Sequence, residues 1–317
     1  MSSEVIALGW YVRFVPVDVM DAMSDYYANA IALPHLLKWR KPKGDVENKD
    51  YFWGGEAVIV DHNYGGGGMP PDSREGDPDT ARQIEIFRVS DIDSVVRGLI
   101  ERGADVLPIR PCYHGREAFV RDPMGMLIGI RERDADSPLP QDREATRRRL
   151  RGEAFNPGCT PMPENWQEVG WVRIRVADLP RAKAFYGDII GLPVIAEPDG
   201  CVLLDLGDNT TLELAPGGAP RDPPARQMES LMTMILRVSE VAETVKAYKA
   251  AGVHFVHDML TSPKGDWTYI ADPEGNVIGV STRNPPKDYL GKFPVYAEDL
   301  EAARRWAETK AARAGIR

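Results

Sequence analysis

Gly170-Trp171-Val172-Arg173-Ile174-Arg175-Val176-Ala177-Asp178-Leu179 reads as a short β-rich run that gives way to a helix. Asp178 supplies an N-cap, and Pro180 sits in the first helical turn, where a missing N–H costs nothing. Ala182, Phe185, Tyr186, Ile189 and Ile190 follow at three- and four-residue spacing, and Gly191 with Pro193 ends the helix. Three strand-like runs come next, at 194–196, 201–206 and 210–215, separated by Asp199-Gly200 and Gly207-Asp208-Asn209 turns. The unit is βαβββ.

This unit recurs. A second copy runs through a strand at 232–238, a helix at 241–251 closed by Gly252, and strands at 254–257, 266–271 and 277–282. Gly9-Trp10-Tyr11-Val12-Arg13-Phe14-Val15 echoes the run at Gly170, and Asp122-Pro123-Met124-Gly125 echoes Asp272-Pro273-Glu274-Gly275. The first pair is offset by 161 residues and the second by 150, so the chain is a duplication with an 11-residue insertion in its first half. In that half, a strand at 83–89 and a helix at 92–101 ending at Gly103 precede strands at 106–109, 117–121 and 127–131. The sequence therefore predicts an α+β fold of four βαβββ modules in two tandem domains, 5–133 and 167–284. They are joined by a linker at 134–166 and followed by a helical tail at 285–317. Leu300, Ala303 and Trp306 share one face of that tail, suited to packing on a domain or on a second subunit in a homodimer.

Composition narrows the function classes. Of 317 residues, 43% are apolar and 27% charged, which is ordinary globular usage. The net charge of −9 disfavours non-specific binding to nucleic acid or anionic lipid, and no run is long and apolar enough to span a membrane. A small molecule is the expected ligand. Three well-separated cysteines, with no basic leader at the start, fit a reducing cytoplasm. The Gly65 to Gly68 run lacks the Lys-Ser/Thr of a phosphate loop and reads as a loop or lid.

Val176-Ala177-Asp178-Leu179 with Ala182 to Tyr186, Phe87-Arg88-Val89-Ser90-Asp91, and Asp-Pro-x-Gly before the last strand of each half resemble the vicinal oxygen chelate superfamily. That superfamily includes glyoxalase I, bleomycin-resistance proteins and type I extradiol dioxygenases. The resemblance implies curved mixed sheets forming cups, with metal ligands on the first and fourth strands of each unit. Here the first-strand positions hold Trp171, Tyr11, Ile84 and Thr233, and the fourth-strand positions hold Glu213, Ile59, Gly129 and Gly279. One carboxylate does not make a metal site, so no metal and no cofactor is expected. His35, His62 and His114 read as surface or backbone-bonded residues, and His254 and His257, three apart on a strand, as facing opposite ways.

Strand alternation places Tyr11 with Arg13, and Trp171 with Arg173 and Arg175, on faces expected to line the cups. An aromatic plane beside a guanidinium suits an aromatic or anionic ligand. Trp267 and Tyr269 share a strand face and join Thr233 as expected ligand contacts. Glu213 is the candidate general acid/base if burial raises its pKa, with Arg173 as electrophilic stabiliser; the two side chains could equally neutralise each other. The readings are a metal-independent lyase or isomerase acting on an aromatic or carbonyl-bearing molecule, a sequestering module of bleomycin-resistance type, or a metal-dependent extradiol dioxygenase. The main site is expected in the second domain.

Overall fold

In the computed structural model, residues 5–33, 35–39, 49–54, 59–64, 74–113, 115–134, 165–198, 200–207, 210–262 and 265–282 are described. The glycine run, the tail and nearly all of the linker lie outside them.

Four modules are present. The first comprises β1 (Val5–Val15), α1 (Met20–Asp25) continued by a π turn (Tyr26–Ala30), β2 (His35–Trp39), β3 (Lys49–Trp53) and β4 (Ile59–Tyr64). The second has β5 (Gln83–Val89), α2 (Ile92–Glu101), β6 (Asp105–Val106), β7 (Arg110–Cys112), β8 (Gly115–Arg121) and β9 (Leu127–Arg133). The third has β10 (Trp166–Val176), α3 (Leu179–Ala184) with its π turn (Phe185–Ile189), β11 (Val194–Ala196), β12 (Val202–Gly207) and β13 (Thr210–Pro216). The fourth has β14 (Met232–Val238), α4 (Val241–Ala250), β15 (His254–Ser262), β16 (Gly265–Ala271) and β17 (Val277–Ser281).

Local chemistry follows the expected lines. Asp178 accepts the Arg181 N–H at 2.9 Å and caps α3. The Asp-Pro-x-Gly turns owe more to aspartate than to proline. Asp122 Oδ1 accepts the N–H groups of Met124 and Met126, and Asp272 Oδ1 those of Glu274 and Asn276. Gly125 and Gly275, at φ 79° and 81°, supply the left-handed residue each turn needs.

Hydrogen bonding crosses the sequence repeat. One eight-stranded sheet runs β15-β16-β17-β14-β1-β4-β3-β2, joining the fourth module to the first. The other runs β11-β12-β13-β10-β5-β9-β8-β6, with β7 on β8, and joins the third module to the second. In each sheet the two first strands of the modules pair antiparallel, β1 with β14 and β10 with β5. Neither half of the sequence closes a sheet alone.

The register corrects the alignment of the first half. Trp171 lies opposite Ile86, and Trp10 lies opposite Ile235, so Trp10, not Tyr11, is the counterpart of Trp171. The register irregularity between Leu8 and Trp10 has its counterpart between Val169 and Trp171, in keeping with this phase. Val12 pairs with Asp61 where Arg173 pairs with Glu213, so Asp61, not Ile59, holds the Glu213 register position.

One residue of shift turns every side chain to the other face. Tyr11 and Arg13 thus leave the concave face and enter the core under the helices, contrary to their expected ligand role. Tyr11 donates to Met232 Sδ at 3.0 Å. Arg13, fully buried, forms ion pairs at 2.6 Å with both Glu85 and Asp122 and donates to the Leu127 carbonyl at 2.7 Å. Tyr27 OH donates to Glu85 at 3.2 Å, and the Arg13 guanidinium lies 5.7 Å from the Tyr27 ring. This cluster fastens the first module to the second. Burial pushes the Glu85 and Asp122 carboxyls up, against the downward pull of Arg13.

Two histidines also belong to this core. His62 is buried against Tyr27 and Phe52, with ring centroids 4.2 and 5.1 Å away, and His35 stacks on Phe52 at 4.4 Å beside Asp50. A second bulge, between Phe255 and His257, pairs His254 with Ala271 and His257 with Tyr269, so the two histidines fall on one face rather than two.

Candidate functional site: two concave faces

The concave face of the β10/β5 sheet carries Trp171, Ile84, Ile86, Phe119 and Leu127 as an apolar floor. Beside it stand four buried charges on four strands: Glu213 on β13, Arg173 on β10, Arg131 on β9 and Glu117 on β8. β5 runs between the second and third and presents only the short side chain of Ile84 opposite Arg173. Both guanidinium groups can therefore reach across it.

They do so as a closed ring. Arg173 Nε donates to Glu213 Oε1 at 2.5 Å, and Arg173 Nη2 to Glu117 Oε2 at 2.8 Å. Arg131 Nη2 donates to the same Glu117 oxygen at 2.5 Å, and Arg131 Nη1 to Glu213 Oε2 at 2.8 Å. Two cations and two anions alternate, so the ring has no net charge. Tyr113 OH caps it with a 2.6 Å bond to Glu213 Oε2, and Arg131 sits 4.9 Å from the Trp171 ring.

The electrostatics follow from that ring. Burial alone would raise both carboxyls, but Arg131 and Arg173 outweigh it, holding Glu117 at about 2 and Glu213 below the usual carboxylate range. A general base needs the opposite shift, so the expectation that burial raises the Glu213 pKa is corrected. Burial and the Glu213 charge push Tyr113 and Cys201 up, so neither the phenol nor the thiol is activated.

Arg175 also has a different task from the expected ligand contact. It donates to the carbonyls of Pro216 at 2.7 Å and Pro78 at 2.6 Å, and its N–H bonds the Arg82 carbonyl at 2.9 Å. It thereby ties the segment at 74–82 down beside the cup.

The residues of this face do not suit a metal ion. The first-strand positions are Trp171 and Ile84, and a side chain at Gly129 would meet Ile86 Cγ1 at 2.5 Å. Of the four ligand positions only Glu213 carries a metal-binding atom, and three hydrogen bonds already engage its two oxygens. Among the described residues, no group of three or more His, Cys, Asp or Glu is placed to hold a metal.

The other sheet separates the remaining site residues from these. Thr233, Trp267 and Tyr269 lie on the β1/β14 sheet, so they never meet Trp171, Arg173 or Glu213. Met232, Met234, Leu236, Ile270, Ile278 and Val280 face the helices, which leaves Thr233, Ile235, Trp267 and Tyr269 on the concave side with Trp10. Gly279 lies under them; a Cβ there would meet Ile235 at 2.7 Å and Tyr269 at 3.2 Å. Thr233 is fully buried, and among the described residues its hydroxyl has no hydrogen-bond partner. Trp267 and Tyr269 are half-buried.

Sequence reading found Arg173, Glu213 and Trp171 but missed Arg131, Glu117 and Tyr113. The signal for Arg131 was present: it stands two residues past Gly129 and so on the same face. Glu117 and Tyr113 come from the β7–β8 hairpin, whose position across the sheet is a matter of topology.

Residues 168–280 match the family described as the Glyoxalase/Bleomycin resistance protein/Dioxygenase superfamily. Glyoxalase I from Zea mays has a similar fold, at 16% identity and TM-score 0.61, over 90% of this chain and 96% of its own. A protein from Bacillus subtilis subsp. subtilis str. 168, described as a dioxygenase, is similar at 10% identity and TM-score 0.64, over 91% and 88%. No curated protein matched the sequence. No helix among the described residues is long and apolar enough to cross a membrane.

Proposed function

We propose that this chain, whose residues 168–280 match the Glyoxalase/Bleomycin resistance protein/Dioxygenase superfamily, binds a flat aromatic small molecule, without a metal ion, on the concave face of its β1/β14 sheet. One contrast carries this reading. The β10/β5 face satisfies its own charges in a neutral buried ring, whereas the β1/β14 face carries two half-buried aromatic rings on β16 and, two strands away on β14, a buried hydroxyl with no described partner. An unsatisfied buried hydroxyl is costly and is repaid by a ligand that donates to it or accepts from it. Trp267 and Tyr269 would supply stacking area, and Thr233 the orienting bond.

A catalytic reading places Glu213 as acid/base and Arg173 as oxyanion stabiliser in a lyase or isomerase. It requires Glu213 to take up a proton, which Arg131 and Arg173 oppose. Sequestration is therefore the reading the geometry favours. The test is native mass spectrometry of the purified full chain. A retained aromatic molecule, bound about tenfold more weakly by Tyr269→Ala and Thr233→Val, supports the proposal. Stoichiometric iron, manganese or zinc, or retention unchanged by both variants, sinks it.

A further inference from the structure

At the edge strand β15, a cavity of about 460 Å³ opens between the π turn after α3, the end of α4 and the Asp272-Pro273 turn. Phe185, Ile189 and Val253 make its apolar wall, and Arg181 and His254 stand at its edge. The volume lies within the roughly 300–1,000 Å³ that small-molecule sites occupy.

The internal repeat supplies a control for this cavity. Gly103 and Gly252, at φ 81° and 74°, end α2 and α4, which aligns Arg102 with Ala251 and Asp105 with His254. The two Asp-Pro turns align Arg121 with Ala271, and the π turns align Tyr26 with Phe185 and Ala30 with Ile189. In the first half this crevice is bridged by protein. Arg102 Nε donates to the Ala30 carbonyl at 2.7 Å, Tyr26 OH to the Arg121 carbonyl at 2.8 Å, and Arg121 pairs with Asp105 at 3.1 Å. The second half has lost both arginine side chains and the phenol hydroxyl, and among the described residues no side-chain hydrogen bond or ion pair takes their place.

Charge changed along with volume. Asp105 gives way to His254, and Ala22 to Arg181. Among the described residues, neither Arg181 nor His254 has a side-chain hydrogen bond or ion pair. Asp272, the cavity's acid, is already engaged by Tyr186 OH at 2.8 Å, Asn276 Nδ2 at 2.9 Å and two backbone N–H groups. The apolar wall is therefore edged by two unpaired basic groups.

We infer that this cavity binds an amphiphilic carboxylate, its chain of about eight to ten carbons against Phe185, Ile189 and Val253 and its carboxylate at Arg181 and His254. The inference does not rest on the assignment of the aromatic face, since Thr233, Trp267 and Tyr269 are not among the residues that line the cavity.

Calorimetric titration of the full chain with decanoate, and with decanol as the neutral control, tests this. Decanoate is expected to bind at one site at least about tenfold more tightly than decanol. Ala251→Arg, which restores the side chain of the first half, should weaken decanoate at least about tenfold, and the milder His254→Asp should weaken decanoate but not decanol. Tyr269→Ala should leave decanoate unaffected. Absence of decanoate binding, equal affinity for decanol, or an affinity indifferent to His254→Asp would overturn the inference even if Ala251→Arg failed to fold.

Discussion

Arg13 and Ile174 occupy corresponding points of the two halves, yet the first is a buried guanidinium held by two carboxylates and the second a buried aliphatic. Their neighbours differ in concert. Glu85 pairs with Arg13 where the repeat puts Met234 in the place of Glu85, and Tyr27 donates to Glu85 where Tyr186 donates directly to Asp272. Each junction is complete in its own chemistry. The fold asks of this location a given volume and no orphaned polar atom, and either an ionic or an apolar set meets that demand. Only a mixed set fails.

The sharpest way to break the comparison is Arg13→Met, which leaves Glu85 and Asp122 buried without their cation. Urea unfolding should show a loss of about 3–5 kcal/mol. Importing the second half's pair, Arg13→Ile with Glu85→Met, should recover all but about 1–2 kcal/mol, because Tyr27 can then serve Asp122 as Tyr186 serves Asp272. A double variant no better than the single one would mean that the halves are not interchangeable there.

The charged ring of the β10/β5 face predicts a pH effect of definite sign. Glu117, held at about 2 in the folded chain, lies below its ordinary unfolded value near 4.3. Its stabilisation is whole above the unfolded value and drains away as pH falls toward 2, so stability should drop across that window. Glu117→Gln should flatten this acid limb and lower neutral-pH stability by about 2–4 kcal/mol. An unchanged limb would show that the ring is open in solution. The smallest effect belongs to Tyr113→Phe, which deletes the 2.6 Å bond to Glu213 and should cost about 1 kcal/mol by thermal unfolding.

The module pattern was legible because it is local. Asp178 as N-cap, glycines at the helix ends and the Asp-Pro-x-Gly turns each depend on a few adjacent residues. The concave faces were legible where the repeat was aligned in phase. Gly9-Trp10 matches Gly170-Trp171, and the same irregularity precedes Trp10 and Trp171, so taking Tyr11 as the counterpart of Trp171 is one residue out and turns Tyr11 and Arg13 to the wrong face. The grouping of site residues was hidden for another reason. Trp171 and Tyr269 lie in one half of the sequence but in different sheets, because strand partners are chosen between modules rather than within a domain. The fate of Glu213 was likewise out of reach, since one of its two guanidinium partners comes from the other half of the chain.

The exchange of strands between modules also sets an order of assembly. As the chain leaves the ribosome, β5 and β10 can pair once residue 176 has emerged, but β1 must wait for β14, more than 200 residues behind it. During that interval the β14-facing edge of β1 is a template open to any passing strand. A second nascent copy offers the correct one, so two chains can each lend the other a fourth module.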